Sequence, residues 1–194
     1  MLRTPQEDYV RLLRRLMQTI STALTNSAGK PERVAAIAAM IAEELRLPKR
    51  TTAFLEMASL LHDVGKLALS EHILLKPGPL SPQEKDSVKT HVDESAALVA
   101  SLLVPDEVMI IVVQHHERFD GGGYPLGLKG TEIHIGARAL AVADVVEALT
   151  ADRPYRKAFP FERAIEIMKE ASGSQFDPIV VDALLRALYP PQRG

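Results

Sequence analysis

The chain has 194 residues, 46% of them hydrophobic and 25% charged, with a formal net charge of −2. That length allows one sizeable domain or two small ones, and the near-neutral charge excludes a global attraction to DNA, RNA or an anionic membrane. Cysteine is absent, which excludes disulfides, thiolate metal sites and a cysteine nucleophile and is compatible with a cytoplasmic location.

Residues 6–25 place Tyr9, Leu12, Leu13, Leu16, Met17, Ile20 and Leu24 on one helical stripe, predicting an amphipathic helix. Residues 1–28 are read as this N-terminal helix, either a homodimer seam or a stub from an upstream domain. Residues 29–194 form the main domain. Pro31 sits well at a helix start and leads an Ala-rich run to Leu47. Residues 51–62 predict a largely buried helix ending near His62. Asp63 to Pro79 is mixed. Ser81-Pro82-Gln83-Glu84 has a Ser cap, a first-position Pro and a Glu three residues after the cap, and predicts a helix to about Leu103. Another runs from Pro105 to about Arg118. The Gly-rich residues 119–130 exclude regular helix. Residues 133–150, Phe161–Ala171 and Asp177–Leu188 complete the set. No segment has a convincing strand period, and no apolar run reaches the ~18 residues of a membrane span. The expected fold is an all-α bundle of about eight helices.

Five features carry chemistry. His62-Asp63 closes the apolar run Ala58-Ser59-Leu60-Leu61. Two adjacent polar side chains cannot both be buried without partners, and a metal ion would satisfy both. A helix end with a solvated Asp is the bland alternative, at even odds for the dipeptide alone. His115-His116 closes a second apolar run. Neighbouring residues on a helix point about 100° apart, so the pair can share one ion only if the helix end unwinds or the ion sits over the helix terminus, and a surface His pair is the commoner case for such a dipeptide alone. Asp144 lies within Ala143 and Val145, where an unpaired carboxylate is costly. Its alternative is a buried ion pair with Arg138. Asp120 to Pro125 contains three glycines that allow close backbone approach, then Tyr124. Asp152-Arg153-Pro154-Tyr155-Arg156 brings planar guanidinium donors suited to phosphate. His91 alone would more often be a satisfied histidine than a ligand. His72 and His134 are read as non-ligands.

Together the strings resemble the HD-GYP family of bacterial cyclic di-GMP phosphodiesterases, within the HD-domain metal-dependent phosphohydrolases. The matching segments are Leu61-His62-Asp63-Val64-Gly65-Lys66, Ile73 to Leu80, Lys89-Thr90-His91, His115 to Pro125, Ala143-Asp144, Ala148 to Arg156 and Phe176-Asp177-Pro178. They run in order from about residue 30 to 188. The resemblance implies a helical HD-domain core and hydrolysis of cyclic di-GMP to linear pGpG, with onward cleavage to GMP left open. It implies metal ligation by His62, Asp63, His91, His115, His116 and Asp144, with Asp63 bridging, and iron or manganese as the ions. Lys66 and Asp63 would be catalytic. Lys66, Gly123, Tyr124, Arg153 and Arg156 would contact substrate. The ions would depress the pKa of a bound water, supplying hydroxide near neutral pH. A GGDEF-domain (diguanylate cyclase) partner would dock at the Gly-Tyr-Pro loop.

One departure stands out. Where the family places a His in a His-Ser-x-Arg-Val string, this chain has Lys30-Pro31-Glu32-Arg33-Val34, with Asn26 one turn earlier in place of Glu. The expectation is therefore two divalent ions, without a third. A catalytically weak module that binds cyclic di-GMP or a cyclase domain is the competing reading.

Overall fold

The computed structural model describes residues 30–102, 104–152 and 157–190, together with isolated helical positions 9, 11, 12, 15, 16 and 19. Nine α-helices follow one another from Lys30 within that range: α1 Lys30–Glu44, α2 Lys49–Leu61, α3 Glu71–Leu74, α4 Pro82–Lys89, α5 His91–Ala100, α6 Asp106–Gln114, α7 Ile135–Thr150, α8 Phe161–Glu170 and α9 Pro178–Leu188. Short 3-10 turns occupy Val64–Ala68 and Gly130–Glu132. Among the described residues there is no β-strand, and the all-α bundle expected from periodicity is what forms.

The core is aliphatic. Val34, Ala38 and Ile41 of α1, Leu55, Leu60 and Leu61 of α2, Ile111 and Val112 of α6, Leu140 of α7 and Leu184 of α9 are buried in one cluster. Burying each Leu or Ile contributes about 1.5–3 kcal/mol, and no aromatic stack is required. α1 packs along α2, α7 and α9, while α6 lies against α2, α5 and α7. At Gly136 an added Cβ would meet Ile111 Cδ1 at 2.7 Å, so the missing side chain sets how closely α6 approaches α7. The Arg33 guanidinium reaches the buried Glu147 carboxylate at 2.6 Å and staples α1 to α7.

Three boundaries depart from the sequence expectation, and two of them shape the site. The single helix expected from Ser81 to Leu103 is broken at Thr90. The Thr90 hydroxyl donates to the Ser87 carbonyl and the His91 ring to the Val88 carbonyl, so side chains claim acceptors at the break. The capping box at Ser81 forms as expected. α6 ends at Gln114, four residues before Arg118, leaving His115 as its cap and His116 in a turn. The mixed segment after Asp63 resolves into the 3-10 turn and the short α3.

The first helix expected from the sequence falls largely outside the described residues. Its described positions are helical, and the Tyr9 hydroxyl donates to the Leu102 carbonyl at 2.7 Å. No helix among the described residues is long and apolar enough to cross a membrane.

Candidate metal centre

Two helix C-termini converge on one point. His62 caps α2 and His115 caps α6, which brings both rings to the partly negative ends of their helices. His91 enters from the first turn of α5 and Asp144 from the middle of α7. The close approach of α5 depends on Gly65. A Cβ there would meet His91 O at 2.2 Å and Ser95 N at 2.4 Å. Ser95 replaces the absent side chain with a polar clamp. Its hydroxyl accepts from Gly65 N and donates to His62 O, each at 2.8 Å.

Three histidines share one orientation. His62 Nδ1 lies 2.8 Å from Ser59 O, His91 Nδ1 2.6 Å from Val88 O, and His115 Nδ1 2.6 Å from Val112 O. A carbonyl can only accept, so each Nδ1 carries a proton and each Nε2 is aimed inward, as a bare lone pair wherever the ring is neutral. Metal-binding histidines are fixed this way. The donor atoms sort into two groups, each spanning no more than 4.8 Å: His91, His115 and His116 in one, His62, Asp63 and Asp144 in the other. His115 and His116, which a continued helix would splay apart, have ring centroids 3.9 Å apart because α6 has already ended.

Asp63 stands between the groups. Its Oδ1 faces Lys66 Nζ at 2.7 Å and His91 Nε2 at 3.6 Å. Its Oδ2 faces Lys30 Nζ at 2.6 Å and His62 Nε2 at 3.3 Å. Lys30 Nζ also lies 2.9 Å from Asp144 Oδ1. Asp144 thus pairs with Lys30, while Arg138 is paired instead with Asp177.

The electrostatics are those of a site holding opposed charges in a dry place. Burial works against both carboxylates, yet Lys30 and His62, joined at Asp63 by Lys66, together outweigh it and hold Asp63 and Asp144 well below the usual carboxylate range. Burial likewise opposes the Lys30 ammonium, but Asp144 and Asp63 raise it above an ordinary lysine. Burial also opposes charge on His62, and the same two carboxylates push it up to about 9. The other group behaves oppositely. Burial, and then the neighbouring His91, drive His116 down to about 3. Burial, and then His116, hold His115 well below an ordinary histidine. Three neutral imidazoles beside a carboxylate-rich pocket suit a divalent metal cation.

The residues fit a metal on a second count. His62 Nε2 and His115 Nε2 are buried without a hydrogen-bond partner, and buried Asp144 Oδ1 has the Lys30 ammonium at 2.9 Å in place of one. The contacts of His62 with the carboxylates, at 3.3 and 3.5 Å, are too long for good hydrogen bonds and act through charge. An ion in each donor group would complete these atoms. A cleft lined by His115, His116, Asp144, Gln175 and Phe176 opens the centre to solvent.

The Gly-Tyr-Pro loop lies over the His pair. Tyr124 stacks on His116, with centroids 4.9 Å apart and planes 24° from parallel. Lys89 Nζ sits 5.8 Å from the Tyr124 ring centre. Burial, then Asp63 and Asp144, raise the Tyr124 hydroxyl to about 12, so it stays a neutral donor. Gly123 is a packing requirement in this fold, since a Cβ would meet Arg118 N at 2.3 Å and Glu117 Cα at 2.6 Å. Arg153 and Arg156 lie outside the described residues. His134 caps α7 through Nδ1, and His72 is exposed; neither belongs to the two donor groups.

Two contributors escape a reading of ligand-type residues. Buried Glu117 accepts from the backbone N–H groups of Leu126, Gly127 and Leu128, at 2.6 to 3.2 Å, and so shapes the loop. Its only sequence signal is its place directly after His116. Ser95 lies one helical turn after His91, which puts both on one face of α5.

Comparison with known proteins gives the family and the fold. The family profile described as the HD domain matches residues 14–180. The cyclic di-GMP phosphodiesterase response regulator RpfG of Xanthomonas campestris pv. campestris is 39% identical over 176 residues, which cover 90% of this chain and 47% of that protein. The 3′3′-cGAMP-specific phosphodiesterase 3 of Vibrio cholerae is 39% identical over 162 residues, covering 84% and 35%. The crystal structure of a cyclic GMP-AMP specific phosphodiesterase from V. cholerae superposes with a TM-score of 0.73 at 19% identity, covering 94% of this chain and 49% of that one. The chain therefore spans about half or less of the length of these relatives.

Proposed function

The chain belongs to the HD domain family, and on that footing we propose that it is a metal-dependent phosphodiesterase that hydrolyses cyclic di-GMP to linear pGpG. The observation that carries this reading is the pair of donor groups joined by Asp63, with the buried imidazole nitrogens of His62 and His115 left without a hydrogen-bond partner. His91, His115, His116 and Asp63 would hold one divalent ion, and His62, Asp63 and Asp144 the other. Bound ions would supply Lewis-acid activation of water and of the phosphate.

The chain's own residues supply the remainder. Lys66 holds its ammonium 2.7 Å from Asp63 Oδ1 while keeping about a quarter of its side chain exposed (27%), so it can reach a phosphate oxygen at the rim. There it would offset negative charge that grows as the phosphorus gains a fifth oxygen. The Tyr124 ring forms a wall over His116 for the nucleotide and offers a protonated hydroxyl. Lys89 adds a cation above that ring. Gly123 lets the loop close against Glu117. Arg153 and Arg156 are assigned to the far phosphate by sequence position. A GGDEF-domain partner at this loop and a homodimer through the first helix belong to the same proposal.

A second reading is favoured by Lys30, whose ammonium lies between two would-be ligands. In it the domain binds the cyclic dinucleotide, or a cyclase domain, without turnover.

The test is direct. Protein loaded with Mn²⁺ or Fe²⁺ under reducing conditions is incubated with cyclic di-GMP and, separately, with 3′3′-cGAMP, with metal content measured alongside. Release of pGpG is expected, and His116→Ala should lose metal and turnover together. Metal-loaded protein that yields no linear product would overturn the enzyme reading and leave the binder. Faster cleavage of 3′3′-cGAMP would correct the substrate.

A further inference from the structure

The two halves of the centre are not equivalent. The His91–His115–His116 half consists of imidazoles kept neutral by burial, and the cation beside it, Lys66, pairs with Asp63 Oδ1 at 2.7 Å while 27% of its side chain stays exposed. The other half already contains a cation. Lys30 Nζ stands 2.6 Å from Asp63 Oδ2 and 2.9 Å from Asp144 Oδ1, the same two oxygens that approach His62 Nε2 to 3.3 and 3.5 Å. Its side chain is 13% exposed and belongs to the first turn of α1. A cation at a helix N-terminus opposes the helix dipole, so α1 itself gives no reason for an ammonium there. The two carboxylates do.

The arrangement is held rigidly. Arg33, three residues on, is tied to Glu147, three residues beyond Asp144. That staple aligns the first turn of α1 with the carboxylate on α7. The lysine stem has a fixed root, and the ammonium is its movable end.

The geometry points to Lys30 as a tethered cation that competes with a metal ion for the His62–Asp63–Asp144 half, making this a centre that fills in two unequal steps. This rests on reading these residues as a metal centre. An ion bound by Asp63 Oδ2, Asp144 Oδ1 and His62 Nε2 would lie at coordination distance, about 2.0–2.2 Å, from atoms that now contact the ammonium. Two cations cannot share that space, so the second ion enters only as Lys30 swings out toward solvent. The first ion, among His91, His115 and His116, faces Lys66 at Asp63 Oδ1, an ammonium paired with one carboxylate where Lys30 has two, on a side chain 27% exposed against 13%, so it is displaced more easily. No covalent step is involved. The exchange trades one ammonium for one divalent ion against the same two carboxylates.

The experiment is a Mn²⁺ titration of chelator-stripped protein, followed by equilibrium dialysis and by electron paramagnetic resonance, which distinguishes an isolated Mn²⁺ from a coupled pair. In the wild type the first equivalent should bind tightly with an isolated-ion spectrum. The coupled spectrum should need roughly tenfold or more Mn²⁺, the least that displacing an adjacent like charge costs at these separations. In Lys30→Met the coupled spectrum should appear at two equivalents. Lys30→His, which restores a neutral donor, should do the same and serves if the Met variant does not fold. Two equal sites in the wild type, or unchanged titrations in both variants, would overturn the inference while leaving the metal centre intact. No ion bound by the wild type or either variant would sink the metal-centre reading itself.

Discussion

At the residue scale the chemistry is decided by which atom of each side chain is left over. His62, His91 and His115 each spend Nδ1 on a carbonyl three residues earlier, which fixes the tautomer and aims Nε2 inward. This cannot be read from the dipeptides His62-Asp63 or His115-His116, but it follows once each ring sits at a helix boundary. Glycine is the complement of that precision. Gly123 gives the loop passage within 2.3 Å of the Arg118 amide, counted from where a Cβ would be. Gly123→Ala should therefore cost about 1–3 kcal/mol, as overpacking against fixed backbone does. Thermal melting should show the loss, together with a Tyr124 ring no longer stacked on His116. A variant that melts like the wild type would show that the loop relaxes freely.

At the element scale the site is an intersection of helix ends. Periodicity located most helices within a few residues, because their aliphatic stripes are strong. It missed the break at Thr90 and the early end of α6, where side chains compete with the helix for backbone partners. Those breaks are what turn His91 and His115 into one cluster. The element contact that holds them is Ser95, whose hydroxyl links α5 to the HD turn through Gly65 N and His62 O. Ser95→Ala leaves a buried N–H and a buried carbonyl unpaired, at about 1–3 kcal/mol. The expected result is a lower melting temperature and weaker Mn²⁺ retention, with the helix content unchanged. Full retention of the ion in a destabilised Ser95→Ala would separate folding from the centre.

At the scale of the whole molecule, protons and metal act on one stability. Unfolded histidines titrate near about 6.5. Burial keeps His91, His115 and His116 below that value in the folded, metal-free chain, with His116 at about 3. The unfolded chain then binds more protons as pH falls below about 6.5, so stability falls with it. Asp63 and Asp144, held low by Lys30, extend the loss at more acidic pH. His62 has the opposite sign. Raised to about 9, it contributes fully below about 6.5 and loses that contribution as pH climbs to about 9. The melting temperature of chelator-treated protein should therefore peak near pH 6.5. A steady rise from pH 6.5 to 9 would show that His62 is not the imidazolium described here.

The sequence by itself determined the all-α class, the HD-domain strings and the ligand-type residues, because helical periodicity and ligand chemistry are local. It also marked Lys30 as the departure from the pattern. Only the tertiary structure decided what that departure means. Position 30 and the carboxylates at 63 and 144 are far apart in the chain, and α1, α2 and α7 must pack before an ammonium can lie between them. The same holds for the division into two donor groups, since a sequence states which ligands exist, while packing of distant elements states which of them face one another.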